Sequence, residues 1–163
     1  MDALHPRPTV PADVPGILRL ISGVYLEYGC VLAAEKEERH LLAPGPYFRA
    51  QGGEFWVVEA EGIVRASVGV MLLEGAGELK SLYVHRSLRR QGWGRRLTEL
   101  AIDHARQNLK PKMLLWSDTR FLDAHRLYRS MGFTQFGSRD LHDSNNSIEY
   151  GFEMPLSAHL PSG

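Results

Sequence analysis

Between Val84 and Leu97 the chain reads His85-Arg86-Ser87-Leu88-Arg89-Arg90-Gln91-Gly92-Trp93-Gly94-Arg95-Arg96, with five arginines, two glycines and no acid. Arginine presents a planar fork of donors that matches phosphate oxygens, and glycine lets a ligand approach the main chain closely. Where such a loop joins a strand to a helix, the first N–H groups of the helix and the positive end of its dipole add to the same site. The chemistry offered is anion binding, of a pyrophosphate with a further phosphate outside it. A run of arginines is equally suited to a solvated helix face, so the context has to decide. The P-loop string G-x-x-x-x-G-K-[ST] is absent, and G-x-G-x-x-G fails because Leu97 occupies the third glycine position and no βαβ unit opens the chain. The string present is R-x-x-G-x-G, from Arg89 to Gly94.

The elements that must position this loop follow from periodicity. Leu82-Tyr83-Val84 ends a strand that begins at Glu78, after the turn Gly75-Ala76-Gly77. Beyond the loop, Trp93, Leu97, Leu100, Ala101, His104 and Ala105 recur at helical spacing, and Lys110-Pro111 stops that helix. Upstream, Pro6 to Pro15 predicts a short strand and a helix start, and Val14, Ile17, Leu18, Ile21 and Val24 or Tyr25 carry a helix to about Gly29. Ala33 to Leu42 predicts a short polar helix closed by Pro44-Gly45-Pro46. Phe55–Ala60 and Ile63–Leu73 then predict a hairpin about Glu61-Gly62. Downstream, Met113–Trp116 is a buried strand, and Ala124, Leu127, Tyr128 and Met131 mark a helix ended by Gly132. Phe133–Phe136 and Ile148–Met154 are strands around a polar loop. The order β-α-α-β-β-β-α-β-α-β-β predicts a single mixed α/β domain over residues 1–163, with its core at about 7–156.

Composition limits the function classes. The 163 residues carry 44% hydrophobic content, and 19 Lys+Arg balance 19 Asp+Glu. Zero net charge opposes a nucleic-acid coat or a polybasic membrane binder, and the arginine stretch lacks interleaved aromatics, so neither nucleic acid nor membrane is an expected partner. No apolar run approaches the roughly 20 residues that span a bilayer, and the Met1–Pro6 start has no signal-peptide character, so the expected location is cytoplasmic. Cys30 is the single cysteine, read as packed, and His104 and His125 lack metal-ligand spacing, so no metal is expected.

Two motifs together carry a resemblance. Arg89-Arg90-Gln91-Gly92-Trp93-Gly94, after Leu82-Tyr83-Val84 and before a helix, matches the [Q/R]-x-x-G-x-[G/A] motif of the GNAT superfamily of acyl-CoA-dependent N-acetyltransferases. Ala124-His125-Arg126-Leu127-Tyr128-Arg129-Ser130-Met131-Gly132-Phe133 resembles that family's A-x-x-L-Y-x-x-x-G-F. One helix and one strand separate the motifs, as in the family. The chain departs from the family at Phe121, where an Asn is frequent, so no contact of that Asn carries over. The resemblance implies a central mixed, mostly antiparallel sheet, splayed between its fourth and fifth strands and flanked by helices. It implies acetyl-CoA as co-substrate and direct acetyl transfer, in a ternary complex, to a primary amine of a small molecule, amino acid or protein. A non-catalytic acyl-CoA-binding domain on the same fold is the alternative. A homodimer is compatible with this reading.

The resemblance also assigns roles. Pantetheine would pair with the backbone of Leu82, Tyr83 and Val84, which serve equally as an ordinary buried strand. Pyrophosphate would sit on the N–H groups from Arg89 through Arg90, Gln91, Gly92, Trp93 and Gly94 to Arg95, with the Arg89 and Arg90 side chains as charge partners. Tyr128 would protonate the departing thiolate, although it also belongs to an apolar stripe. Glu78 would be the general base, at the start of the strand lining the acyl site; a strand-end charge facing solvent is the plain alternative. His85 is a rival base. Strict alternation puts Glu78, Lys80, Leu82 and Val84 on one face and Leu79, Ser81 and Tyr83 on the other. The acceptor would meet Tyr25 to Tyr28 with Glu35, Glu37 and Glu38, and the segment Asp143 to Glu149, where acids suit a cation.

Overall fold

The structure is a computed structural model, and it describes residues 3–157. Seven strands form one sheet in the order β1-β2-β3-β4-β5-β7-β6, with β1 at Arg7–Pro8, β2 at Glu54–Ala60, β3 at Ile63–Leu72, β4 at Gly77–Val84, β5 at Lys112–Asp118, β6 at Thr134–Asp140 and β7 at Ile148–Pro155. Every neighbouring pair is antiparallel except β4 and β5, which run parallel. The expected mixed, mostly antiparallel sheet flanked by helices is therefore present.

Both faces of the sheet are covered. On one, α1 (Val14–Glu27) buries Ile17, Leu20 and Ile21 with Phe48, Phe55 and Val57. On the other, α4 (Trp93–Gln107) buries Leu97, Ala101 and Ala105 against Val68, Val70, Met113 and Leu115. α5 (Leu122–Ser130) closes that second layer through Tyr128, which packs on Phe133 and Phe152. Strands with both faces covered read as nearly continuous apolar runs, as Ile63–Leu72 does.

The polar segment after α1 differs from its expected form. Ala34–Glu37 makes one α-helical turn, α2, followed by a 3₁₀ turn at Arg39–Leu42. Pro44-Gly45-Pro46 does not only stop that segment but begins α3, Pro44–Arg49. Proline at the first helical position costs nothing, because its missing N–H has no intrahelical partner there, so a stop signal and a start signal share the same residues.

The β4–β5 pairing is brief. Gly77, Glu78 and Leu79 pair with Met113, Leu114 and Leu115, and no further pairing follows although both strands continue. A bulge in β4 accompanies the separation. Lys80 pairs with Gly69 and Tyr83 with Ser67, so Ser81 and Leu82 together oppose Val68. Ser81 is left-handed at φ 56°, and its carbonyl accepts a 2.8 Å hydrogen bond from the Ser67 hydroxyl. The extra residue overturns strict alternation along β4: Leu79, Leu82 and Val84 face the α4 layer, whereas Tyr83 joins the α1 layer, where Glu78 lies opposite Met71.

Candidate active site

The separation of β4 and β5 opens a cleft with two adjoining parts. The first is a groove of about 580 Å³ lined by Leu82, Tyr83 and Val84, by Leu88, Arg89, Arg90, Gly92, Trp93 and Gly94, and by Phe121, Asp123, Ala124 and Leu127 from the far side. It brings together eight of the residues expected to hold the co-substrate. Gln91 and Arg95 are not in its lining: the Gln91 side chain donates to the Ser87 carbonyl, and Arg95 donates to Ser130 Oγ at 2.8 Å.

The glycines take this form for local reasons. Gly92 is the N-cap of α4 at φ 82°, a conformation that a side chain resists. At Gly94 a Cβ would come within 3.0 Å of Leu127 Cδ2, so its small size lets α4 and α5 approach. The first helical hydrogen bond runs from the Arg96 N–H to the Gly92 carbonyl, which leaves the amides of Trp93, Gly94 and Arg95 at the open end of the helix. The arginines divide. Arg89 is occupied by Glu27 at 2.7 Å and by the Val84 carbonyl, whereas Arg90, left-handed at φ 61°, faces the groove. Trp93 contributes its backbone, because its ring is buried in the core with the Arg96 guanidinium 4.7 Å above it.

The second part lies deeper, where Lys80, Ser81 and Leu82 of β4 face Trp116, Ser117 and Asp118 of β5 across the gap. Tyr128 lines it, and burial pushes its phenol above the usual value, so the group is a neutral O–H throughout the physiological range. Leu82, Tyr83, Tyr28 and Phe121 line both parts and form the boundary between them. The β5 margin is fixed by buried His125, whose Nε2 lies 2.9 Å from the Asp118 carbonyl and 3.1 Å from Ser117 Oγ. Burial lowers the pKa of that imidazole, and it is a structural group.

The acceptor segments expected from sequence also converge here. Tyr25, Tyr28 and Glu38 line the deep part with Asp143, Asn145, Ser147 and Glu149. The two segments are tied by Asn145, which exchanges hydrogen bonds with the Val31 backbone, and by Glu37, whose Oε1 accepts from the Ser144 N–H. Arg120 completes the clamp through Asp118 Oδ2, Cys30 Sγ and the Asn145 carbonyl. Glu35 is exposed and Glu27 is held by Arg89, so neither joins the cavity.

Glu78 is placed differently from a group in contact with the reaction. It sits where β4 and β5 are still paired, opposite Leu114, 3.7 Å from Lys80 Nζ, and it is absent from the lining of either part of the cleft. His85 accepts from the Ser87 N–H and lies 3.2 Å from the Arg65 guanidinium, outside the cleft; partial burial and the neighbouring guanidinium groups lower its pKa. Sequence reasoning missed the cleft roles of Phe121, Trp116, Asp118 and Arg120. It also missed Ser67, whose only signal was a lone hydroxyl in an apolar strand.

Comparison with known proteins agrees with this geometry. A family model for an acetyltransferase (GNAT) domain matches residues 51–135. An uncharacterized N-acetyltransferase of Escherichia coli K12, YjgM, is 30% identical over 129 residues, covering 74% of this chain and 76% of that protein. A GNAT-family acetyltransferase structure from Staphylococcus aureus Mu50 superposes with a TM-score of 0.83 at 16% identity, covering 95% of this chain and 100% of that one. The structure of yncA, a putative acetyltransferase from Salmonella typhimurium determined with its cofactor acetyl-CoA, has a TM-score of 0.73 at 21% identity and covers 99% of each chain.

Proposed function

Because the chain belongs to the GNAT acetyltransferase family, we propose that it transfers an acetyl group from acetyl-CoA to a primary amine by direct attack within a ternary complex. The observation that carries this reading is the alignment of two adjoining cavities along the gap between β4 and β5. They run from the open amides of α4, along the unpaired edge of β4, to the Tyr128 phenol and the acidic lining beyond.

Each part has a task in that reaction. The amides of Trp93, Gly94 and Arg95 and the Arg90 guanidinium hold the pyrophosphate. Beyond Leu79 the β4 edge that faces β5 is unpaired, so the backbone of Leu82 and Tyr83 can pair with the pantetheine amides. Val84 offers less, because its carbonyl already accepts from Arg89 Nε. This path directs the thioester between Leu82 and Phe121 toward Tyr128. Attack by the amine expels a thiolate, and the Tyr128 hydroxyl gives it a proton as the C–S bond breaks. Tyr128 regains that proton from the nitrogen that has become the amide. Before attack, an alkyl ammonium with a pKa near ~10.4 must lose a proton to the enzyme. Glu78 stands behind Lys80 and outside the cavity lining, so that first step calls for a group which faces the cavity.

The reading is tested by mixing the protein with acetyl-CoA and a panel of primary amines while following free thiol. Amine-dependent thiol release with acetylated amine as product is the expected result. Acetyl-CoA binding with no amine-dependent release would instead identify a binding domain.

A further inference from the structure

Among the described residues, Glu38 Oε2 is the one buried side-chain nitrogen or oxygen atom without a hydrogen-bond partner. A buried acceptor of this kind costs free energy unless something donates to it, and a carboxylate costs more than a neutral group. Oε1 accepts from the Tyr25 hydroxyl at 2.7 Å, which fixes the orientation of the carboxyl group. Glu38 lines both the deep cavity that holds Tyr128 and a side chamber bounded by Tyr25, Glu37 and Asp143. We propose that Glu38 is the general base: its Oε2 receives the acceptor's ammonium group and takes the proton whose removal frees the nitrogen for attack. The proposal rests on the acetyltransfer reading above and supplies its missing first step.

The proton balance closes. One proton passes from the ammonium to Glu38 Oε2. The freed lone pair forms the C–N bond, the C–S bond breaks, and the thiolate takes the Tyr128 proton. The second nitrogen proton restores Tyr128, and Glu38 later releases the first to water. The surroundings suit this task. Burial raises the Glu38 carboxyl above the ordinary carboxylate range, opposed by the Tyr25 hydrogen bond and by Lys80 across on β4, with Glu149 of β7 and the adjacent Glu37 reinforcing the rise. Asp143 also faces the side chamber; burial works against its ionisation, but donors from Ser147 and Asn145 hold it below its usual value. The Tyr25 and Tyr83 phenols are pushed up by burial and do not compete for the proton.

The same charges define the acceptor. Glu38, Asp118, Asp143 and Glu149 line the cavity; Arg120 offsets Asp118 at 3.2 Å and Arg139 offsets Glu149 at 2.7 Å, which leaves Glu38 and Asp143 against Lys80, itself 3.7 Å from Glu78. An α-amino acid would bring its own carboxylate into that field. The acceptor is therefore an alkyl ammonium without a carboxylate on the adjacent carbon, a class that includes lysine side chains.

The test compares wild type with E38Q, which keeps the shape and the Tyr25 contact, and with Y25F. The probes are tyramine, phenethylamine and an amidated lysine peptide, with tyrosine and phenylalanine as carboxylated counterparts. E38Q should bind acetyl-CoA normally and lose about 100-fold or more in kcat at neutral pH. That loss should shrink as the pH approaches about 10, where the amine sheds its own proton. Y25F should move the acidic limb of the rate profile to higher pH, because the lost hydrogen bond no longer favours the carboxylate. Tyrosine and phenylalanine should be poor acceptors. Wild-type kcat in E38Q, a deficit that does not change with pH, or the same pH-dependent loss in E78Q and not in E38Q overturns the assignment while leaving acetyltransfer intact. Preference for the amino acids overturns the acceptor class. Failure of all five probes, with acetyl-CoA still raising Tm, overturns the acetyltransfer reading and the Glu38 assignment together.

Discussion

Tyr128 shows how one side chain can serve packing and chemistry together. Its ring lies 5.7 Å from Phe133 and 5.8 Å from Phe152, and the same residue lines the deep cavity. Tyr128→Phe keeps those ring contacts and removes the proton donor. Turnover should fall by about 10²- to 10³-fold with Tm almost unchanged, as read by thiol release beside a melting curve. Full turnover in the variant would leave the residue with packing alone. Gly92 offers a complementary case. A Cβ there would meet nothing within 4 Å, so Gly92→Ala acts only through the φ of 82°. The variant should stay folded at a cost of about 1–2 kcal/mol, and the Tm rise given by acetyl-CoA should largely disappear. Both residues were legible in the sequence because each belongs to a short local motif. Glu38 and Phe121 were not legible as partners of Tyr128, because only the folded chain brings the residue that follows α2 and the residue that precedes α5 to one cavity.

The splay is a property of elements, and it depends on two pins. On the β4 side the Ser67 hydroxyl, wholly buried, satisfies the carbonyl of left-handed Ser81; on the β5 side His125 holds the Asp118 carbonyl. Ser67→Ala leaves the Ser81 carbonyl without its donor, which should destabilise the fold by about 1–3 kcal/mol. Because the bulge also sets the β4 edge, acetyl-CoA affinity should fall with it, as denaturant unfolding and calorimetric titration would establish. Unchanged affinity would separate the bulge from binding. Strand order and the two signature helices could be read from periodicity and turn residues, since those are local. The bulge could not, because Glu78-Leu79-Lys80-Ser81-Leu82-Tyr83-Val84 contains no glycine to announce a positive φ. Where β4 and β5 part was equally hidden, and that point places Glu78 below the cleft.

At the scale of the whole molecule, titration behaviour follows from which groups the fold withdraws from water. Burial lowers the His40 imidazole to about 4 from its ordinary 6.5 and lowers His125 as well. An unfolded chain binds these protons at higher pH than the folded one, so stability is complete above pH 6.5 and declines as the pH falls toward 4. Glu38, with a raised pKa, contributes in the opposite sense and offsets part of the decline. For His40 alone, partial exposure reduces the effect to about 1–2 kcal/mol between those limits. His40→Asn should flatten the fall of Tm between pH 7 and 5, and an unaltered slope would remove His40 from the account. The central claim, that one cleft passes an acetyl group from sulfur to nitrogen, has a direct readout in acetyl-CoA carrying ¹³C at the acetyl carbonyl. Followed by NMR with wild-type protein and the amine panel, the thioester signal should convert one for one into an amide signal on the amine. A thioester signal that shifts on binding but persists with every amine, or label that comes to rest on Cys30, would contradict it.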